Sequence, residues 1–293
     1  MRRTEINSGG TIGVLWEPDQ AAEQFVVVLG GSGSGILDGM AKRLSEHGVS
    51  AFALDYFGAP GLPSALVEIP VESVHHGVEL FREQFAGGRT VALMGVSKGA
   101  ELALVLASHI AGVGSVVAVV PSCVVWYGLD FSDLTAMTRP SWTWDGDPLP
   151  FLPLQAGVMP AFTDAGLRTD LCYDLSAYAT NDIDAARIPI ERAQGPLLLL
   201  SGDDDHMWPS APMADHIVQR MRDHGRGEHV TSVVYPGAGH AFLTRDFLQA
   251  QGETVPFDFG GEAQADRAAA DDAWKRILSF LEALPRARNH SAA

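Results

Sequence analysis

Cysteine is scarce: Cys123 and Cys172 are the only two in a chain of 293 residues. One disulfide is arithmetically possible, but neither a disulfide scaffold nor a cysteine-rich zinc site can be built. Positive charge is scarce as well. Lys plus Arg number 20 against 36 Asp plus Glu, a formal net charge of −16, and the only lysines are Lys42, Lys98 and Lys275. With a pI near 4.9, the chain lacks the basic surface that displaces counterions from nucleic acid or anchors a protein to anionic lipid. Long apolar runs are missing too. A transmembrane helix needs about 20 continuous apolar residues, and the least charged stretch, 102–120, is interrupted by Ser108, His109, Gly112 and Gly114. No apolar segment follows Met1-Arg2-Arg3, so no signal peptide and a cytoplasmic location are expected.

What is present has globular composition, 46% apolar and 19% charged. Short apolar runs end in Gly, Asp, Ser or Pro: 25–29 before Gly30, 49–54 before Asp55, 90–96 before Ser97, 115–120 before Pro121, 197–201 before Gly202, and 230–235 before Pro236. Such runs suit a parallel sheet covered on both faces. Helical periodicity lies between them, over 37–47, 71–85, 98–107, 211–222 and 266–284. Alternating strands and helices predict an α/β fold with a mostly parallel, doubly wound sheet. The alternation fails between Pro121 and Pro196, a stretch rich in proline that carries Trp126, Trp142 and Trp144. It reads as a lid leaving the sheet, over about 121–195. The expected organisation is a single domain over 1–284 with a frayed tail over 285–293.

The sharpest chemical signal is Gly95-Val96-Ser97-Lys98-Gly99, a G-x-S-x-G pattern between a predicted strand and a predicted helix. Glycines at both ends permit a tight turn that lifts the serine hydroxyl to the carboxyl edge of the sheet. The helix starting at Lys98 turns backbone N–H groups toward the same point. A serine needs a base, and His240 follows the last predicted strand within Pro236-Gly237-Ala238-Gly239-His240. The acid is expected in Asp203-Asp204-Asp205, after the 197–201 strand, which leaves both Asp205 and Asp203 open. A cation site at this acidic run with His206 has no second histidine at a matching spacing, so neither a metal nor a cofactor is expected. The glycine loop Gly30–Gly35 imitates a dinucleotide fingerprint, but Ile36 stands where its third glycine belongs. It reads instead as the loop that gives a second oxyanion N–H, from Ser32, opposite that of Lys98.

Four stretches carry a resemblance: Gly95-Val96-Ser97-Lys98-Gly99-Ala100-Glu101-Leu102, Ile188-Pro189-Ile190-Glu191-Arg192-Ala193, Gly202-Asp203-Asp204-Asp205-His206-Met207-Trp208, and Gly260-Gly261-Glu262 with Asp272-Ala273-Trp274-Lys275. The chain resembles the catalytic domain of the acyl-CoA thioesterase and bile acid-CoA:amino acid N-acyltransferase family, a branch of the α/β hydrolases near dienelactone hydrolase. The resemblance implies an α/β-hydrolase fold with the lid after its sixth strand, and a triad on Ser97, Asp205 and His240. Serine in place of the acyltransferases' cysteine favours hydrolysis over transfer. With about 24 residues before the first predicted core strand, the family's N-terminal β-sandwich domain is expected to be absent.

The expected activity is therefore hydrolysis of an acyl thioester, foremost an acyl-CoA, through an acyl-enzyme. An acyltransferase or cyclase, or an ester or lactone hydrolase of dienelactone-hydrolase type, is the alternative. Gly31, Trp142, Trp144, Phe151 and Trp208 are candidate substrate-binding residues, with Trp126, Leu149 and Phe162 as further candidates for an acyl pocket. CoA is strongly anionic, so a protein of charge −16 needs a local basic patch to bind it; Arg139, Arg168, Arg187 and Arg192 are the candidates.

Overall fold

The computed structural model describes residues 1–33, 36–130, 132–250 and 257–284. The expected tail over 285–293, and Ser34 and Gly35 of the glycine loop, lie outside the described residues.

Eight strands form one sheet: β1 (Arg2–Ser8), β2 (Thr11–Glu17), β3 (Gln24–Leu29), β4 (Val49–Asp55), β5 (Val91–Val96), β6 (Val113–Val119), β7 (Leu197–Gly202) and β8 (Val230–Tyr235). Their order is β1-β2-β4-β3-β5-β6-β7-β8. The pairs from β4 through β8 are parallel; β1 with β2 and β2 with β4 are antiparallel.

Side chains alternate along each strand, so the sheet feeds two cores. On β3, Val27 and Leu29 join one core while Val26 and Val28 join the other. Helix α1 (Asp38–Glu46) and helix α6 (Ala263–Glu282) cover the second face through Met40, Leu44, Trp274 and Ile277. Helices α2 (Val71–Gln84), α3 (Lys98–His109) and α5 (Ser210–Asp223) cover the first through Val74, Val78, Phe81, Leu102, Met213 and Ile217. Both faces are thus buried, which is why the central strands are continuously apolar. No helix among the described residues is long and apolar enough to cross a membrane.

One expectation needs correction. The first core strand is not at Phe25, because β1 and β2 precede it as a hairpin. Their turn is Gly9-Gly10, with φ of 60° and 81°, the positive values that a two-residue hairpin turn demands. The signal was in the sequence, but β1 is a largely exposed edge strand, so its residues carry no apolar run.

Between β6 and β7 the chain leaves the sheet, as the lid expectation requires. It builds short pieces only: strands Trp142–Trp144 and Asp147–Pro148, a hairpin of Ala161–Thr163 with Gly166–Arg168, several 3-10 turns, and α4 (Thr180–Ala186). Most of the strands pair with near neighbours, but Ile69 pairs with Trp142 from far along the chain, and Tyr127 bridges to Pro140.

Candidate active site

Ser97 sits in the turn between β5 and α3 with φ 56° and ψ −122°. A non-glycine residue in that region is strained and is held there by its surroundings. The flanking glycines are required by space. A Cβ on Gly95 would lie 2.1 Å from the Gly99 carbonyl oxygen, and one on Gly99 would lie 2.2 Å from that of Gly30. The turn therefore packs α3 directly on the chain leaving β3, which brings Gly31 beside Ser97: a Cβ there would meet Ser97 Cβ at 3.2 Å. Tyr56 secures this loop by donating its hydroxyl hydrogen to the Gly30 carbonyl at 2.6 Å.

The three residues expected to act together converge at the carboxyl ends of β5, β7 and β8. Ser97 Oγ is 2.9 Å from His240 Nε2, and His240 Nδ1 is 2.9 Å from each Asp205 carboxylate oxygen. A carboxylate only accepts, so Nδ1 carries the hydrogen and Nε2 turns its lone pair to the serine hydroxyl. Asp205 is itself fixed: it accepts from the backbone N–H groups of Met207 and Trp208 at 2.9 and 3.2 Å and from Ser210 Oγ at 2.6 Å. His240 is held by its own N–H, which donates to the Phe259 carbonyl at 2.8 Å, and by Phe259 stacked on its ring and Trp208 edge-on against it. Both side chains are almost wholly buried, at 2% exposure for Asp205 and 8% for His240.

The aspartate run divides its duties. Asp203 accepts from the Gly237 N–H at 2.6 Å, bracing the loop that carries His240. Asp204 accepts from the Gly261 N–H at 2.9 Å and lies 3.1 Å from His206 Nε2. His206 also faces Asp258 at 3.1 Å and Arg168 at 3.2 Å. This knot ties the lid hairpin to the acid loop, reinforced where the Thr169 and Asp170 N–H groups donate to the His206 carbonyl.

A cavity of about 240 Å³ opens over Ser97. Ser32, Lys98, Trp208 and His240 border it together with Ser97, and the lid supplies apolar wall through Leu129, Met137, Leu154, Met159 and Leu167. Such a wall suits a hydrocarbon group, and the methionines adapt to its shape.

Several candidate residues are elsewhere. Trp142, Trp144 and Phe151 do not line this cavity, and neither do Trp126, Leu149 or Phe162. Trp142 is fully buried and donates its indole hydrogen to Glu101 at 2.7 Å. Trp144 packs on His109, Trp126 sits against Tyr127, Tyr173 and Tyr178, and Phe162 is 87% exposed. These aromatics join the core between the sheet, its helices and the lid, or lie at the surface. The actual wall mixes aliphatic residues with Tyr127, Tyr173, Trp208 and Phe257, and these residues show no common spacing along the chain by which the sequence could reveal them.

The expected basic patch is also corrected. Arg139 pairs with Glu68 at 3.1 Å, Arg168 with Asp170 at 2.7 Å, and Arg187 with Asp184 at 2.8 Å. Arg192 lies in the turn Ile190–Arg192, and none of the four borders the cavity. Both cysteines are free and buried; burial pushes the Cys123 thiol up to about 12, whereas Cys172 lies in the cavity wall.

Residues 77–284 match the family described as BAAT / Acyl-CoA thioester hydrolase C terminal. The chain belongs to that family. This member of the BAAT/acyl-CoA thioester hydrolase C-terminal family is 28% identical to human acyl-coenzyme A thioesterase 1 over 96% of its length and 65% of the relative's. It is 29% identical to mouse mitochondrial acyl-coenzyme A thioesterase 2, over 96% of the chain and 60% of the relative. A mouse peroxisomal succinyl-coenzyme A thioesterase matches at 28%, over 96% and 65%. The chain thus spans less than two thirds of the length of these relatives. Among solved structures, a Klebsiella pneumoniae protein described as a dienelactone hydrolase superposes with a TM-score of 0.58 at 16% identity, covering 96% of this chain and 98% of the other. A Pyrococcus furiosus esterase gives 0.53 at 13% identity, covering 97% and 92%. At such identities the likeness is one of fold: this family member has the α/β-hydrolase fold.

Proposed function

We propose that this chain hydrolyses an activated acyl bond, a thioester or an ester, through an acyl-enzyme on Ser97. The observation that carries the reading is the 2.9 Å approach of Ser97 Oγ to the unprotonated nitrogen of His240, whose other nitrogen is bound to Asp205. His240 takes the hydroxyl proton as Ser97 attacks the acyl carbon, and Asp205 stabilises the imidazolium that forms. Backbone N–H groups of Lys98 and Ser32 receive the oxyanion; losing one such donor costs about 3 kcal/mol of transition-state stabilisation. The carbon–sulfur or carbon–oxygen bond then breaks, His240 returns the proton to the leaving group, and water releases the acid by the same route. The apolar cavity receives the acyl group.

The relatives' names favour a coenzyme A thioester. The pairing of Arg139, Arg168 and Arg187 with carboxylates favours keeping a neutral ester beside it, since those arginines have little charge to offer the CoA phosphates. Intact-mass measurement after incubation with a mixed acyl-CoA pool, and separately with aryl esters, tests the reading. An acyl adduct on the Ser97 peptide, lost in Ser97→Ala together with turnover, is expected. Turnover persisting in Ser97→Ala sinks it. Adducts from esters alone assign the substrate to the ester class.

A further inference from the structure

Lys98 and Glu101 form a fully buried ion pair in the first turn of α3, one residue beyond Ser97, with side chains 1% and 0% exposed. The Lys98 ammonium lies 3.1 and 3.0 Å from the two Glu101 oxygens and 2.7 Å from Ser141 Oγ. Its three donors therefore have three partners, and none is left for a substrate. Burial opposes ionisation of both partners, pushing Glu101 up and Lys98 down, and each charge counteracts the shift of the other.

Every remaining side-chain hydrogen bond of the pair ends in the lid. Glu101 Oε1 accepts from the Trp126 N–H at 3.2 Å and from the Trp142 indole at 2.7 Å. Ser141, having accepted from Lys98, turns its own hydrogen to the carbonyls of Trp126 and Tyr127, at 3.1 and 2.8 Å. Tyr127 lines the cavity beside Ser97. Two lid segments far apart in sequence, 126–127 and 141–142, are thus fastened to the helix that starts at the serine. A buried ion pair is a weak source of stability compared with apolar packing, and its hydrogen bonds are directional.

We propose that the Lys98–Glu101 pair, acting through Ser141, is a positioning device that fixes the lid wall at Tyr127 relative to Ser97 and thereby sets which acyl groups the cavity accepts. This rests on the acyl-hydrolase reading above. Glu101 and Ser141 touch no substrate; they act through the wall.

The test compares aryl acetate with aryl decanoate, each rate normalised to active sites titrated with a fluorophosphonate. In Glu101→Gln and Ser141→Ala, kcat/KM for the acetate is expected to stay within threefold of the parent. For the decanoate it is expected to fall tenfold or more, chiefly through KM. A merely structural role lowers the number of titratable sites and leaves the decanoate-to-acetate ratio per site unchanged, and that result overturns the proposal. Should Glu101→Gln not fold, Ser141→Ala, which leaves the ion pair intact, decides alone. Ser97→Ala separates the two readings. If it abolishes turnover while the ratio in the other variants is unchanged, only the positioning proposal falls. If it leaves turnover intact, the serine reading falls while the ratio still judges the wall.

Discussion

His240 Nε2 meets Ser97 Oγ at 2.9 Å across 143 positions of sequence. The contact depends on two tight turns, one forcing Ser97 to positive φ and one in which the His240 N–H is tied to Phe259.

Asp205→Asn is expected to lower kcat on an aryl ester by about 10⁴-fold. An asparagine amide can donate to Nδ1, which moves the hydrogen to Nε2 and removes the base. Asp203→Asn is expected to stay within about tenfold of the parent, because an amide oxygen can still accept from the Gly237 N–H. Steady-state kinetics of both variants check this, and the reverse ranking would assign the acid to Asp203.

The charge of −16 and the paired arginines predict an unusual salt response. Screening shortens the reach of charge to about 10 Å at 0.1 M salt, which relieves repulsion between this protein and an anionic acyl-CoA. The value of kcat/KM for acyl-CoA should rise with added salt, while that for a neutral aryl ester should not change. A fall with salt would reveal a basic patch at the cavity.

Gly99→Ala would place a Cβ 2.2 Å from the Gly30 carbonyl oxygen and 2.3 Å from that of Leu29. Backbone cannot yield cheaply there, and a loss of about 3 kcal/mol or more in unfolding free energy is expected. A shift of the urea midpoint measures it. An unchanged midpoint would mean that the elbow packs more loosely than these distances state.

Glu191, in the Ile188–Ala193 stretch, accepts from Arg220 at 2.5 and 2.9 Å. Burial, the largest single influence, raises its carboxyl pKa, but the hydrogen bonds from Arg220 and from its own backbone N–H, with the Arg220 charge, together outweigh it and hold the group below the usual value of 4.5. A depressed carboxyl stabilises the fold above its unfolded-state pKa, and that contribution is lost as pH falls through the folded value. Glu191→Gln should therefore cost about 1 kcal/mol at pH 7 and less near pH 3. Urea unfolding at the two pH values checks the sign, and an equal loss at both would assign the effect to packing.

The legible features were local ones. Gly95, Ser97 and Gly99 announce their turn because only glycine fits where backbone touches backbone. The Phe25–Leu29 and Leu197–Ser201 runs announce buried strands because both faces of the sheet are covered. The order serine, acid, histidine follows from strand ends, and Ser97, Asp205 and His240 do meet in space. The β1–β2 hairpin was also written in Gly9-Gly10, but an edge strand facing water has no apolar run to mark it.

The interior of the lid was beyond the sequence's reach. Its tryptophans invited a role in binding, yet Trp142 reaches Glu101 and Trp144 reaches His109, while aliphatic residues and other aromatics from scattered positions form the wall. Whether an arginine is free or neutralised depends on a carboxylate that can lie far along the chain, as Glu68 does for Arg139. Sequence alone determined the sheet, its covering helices and the elbow, because repeat period and steric demand act between near neighbours. Tertiary structure alone decided the cavity, its charge and its tie to α3 through Lys98 and Glu101, because those depend on which distant side chains are buried together.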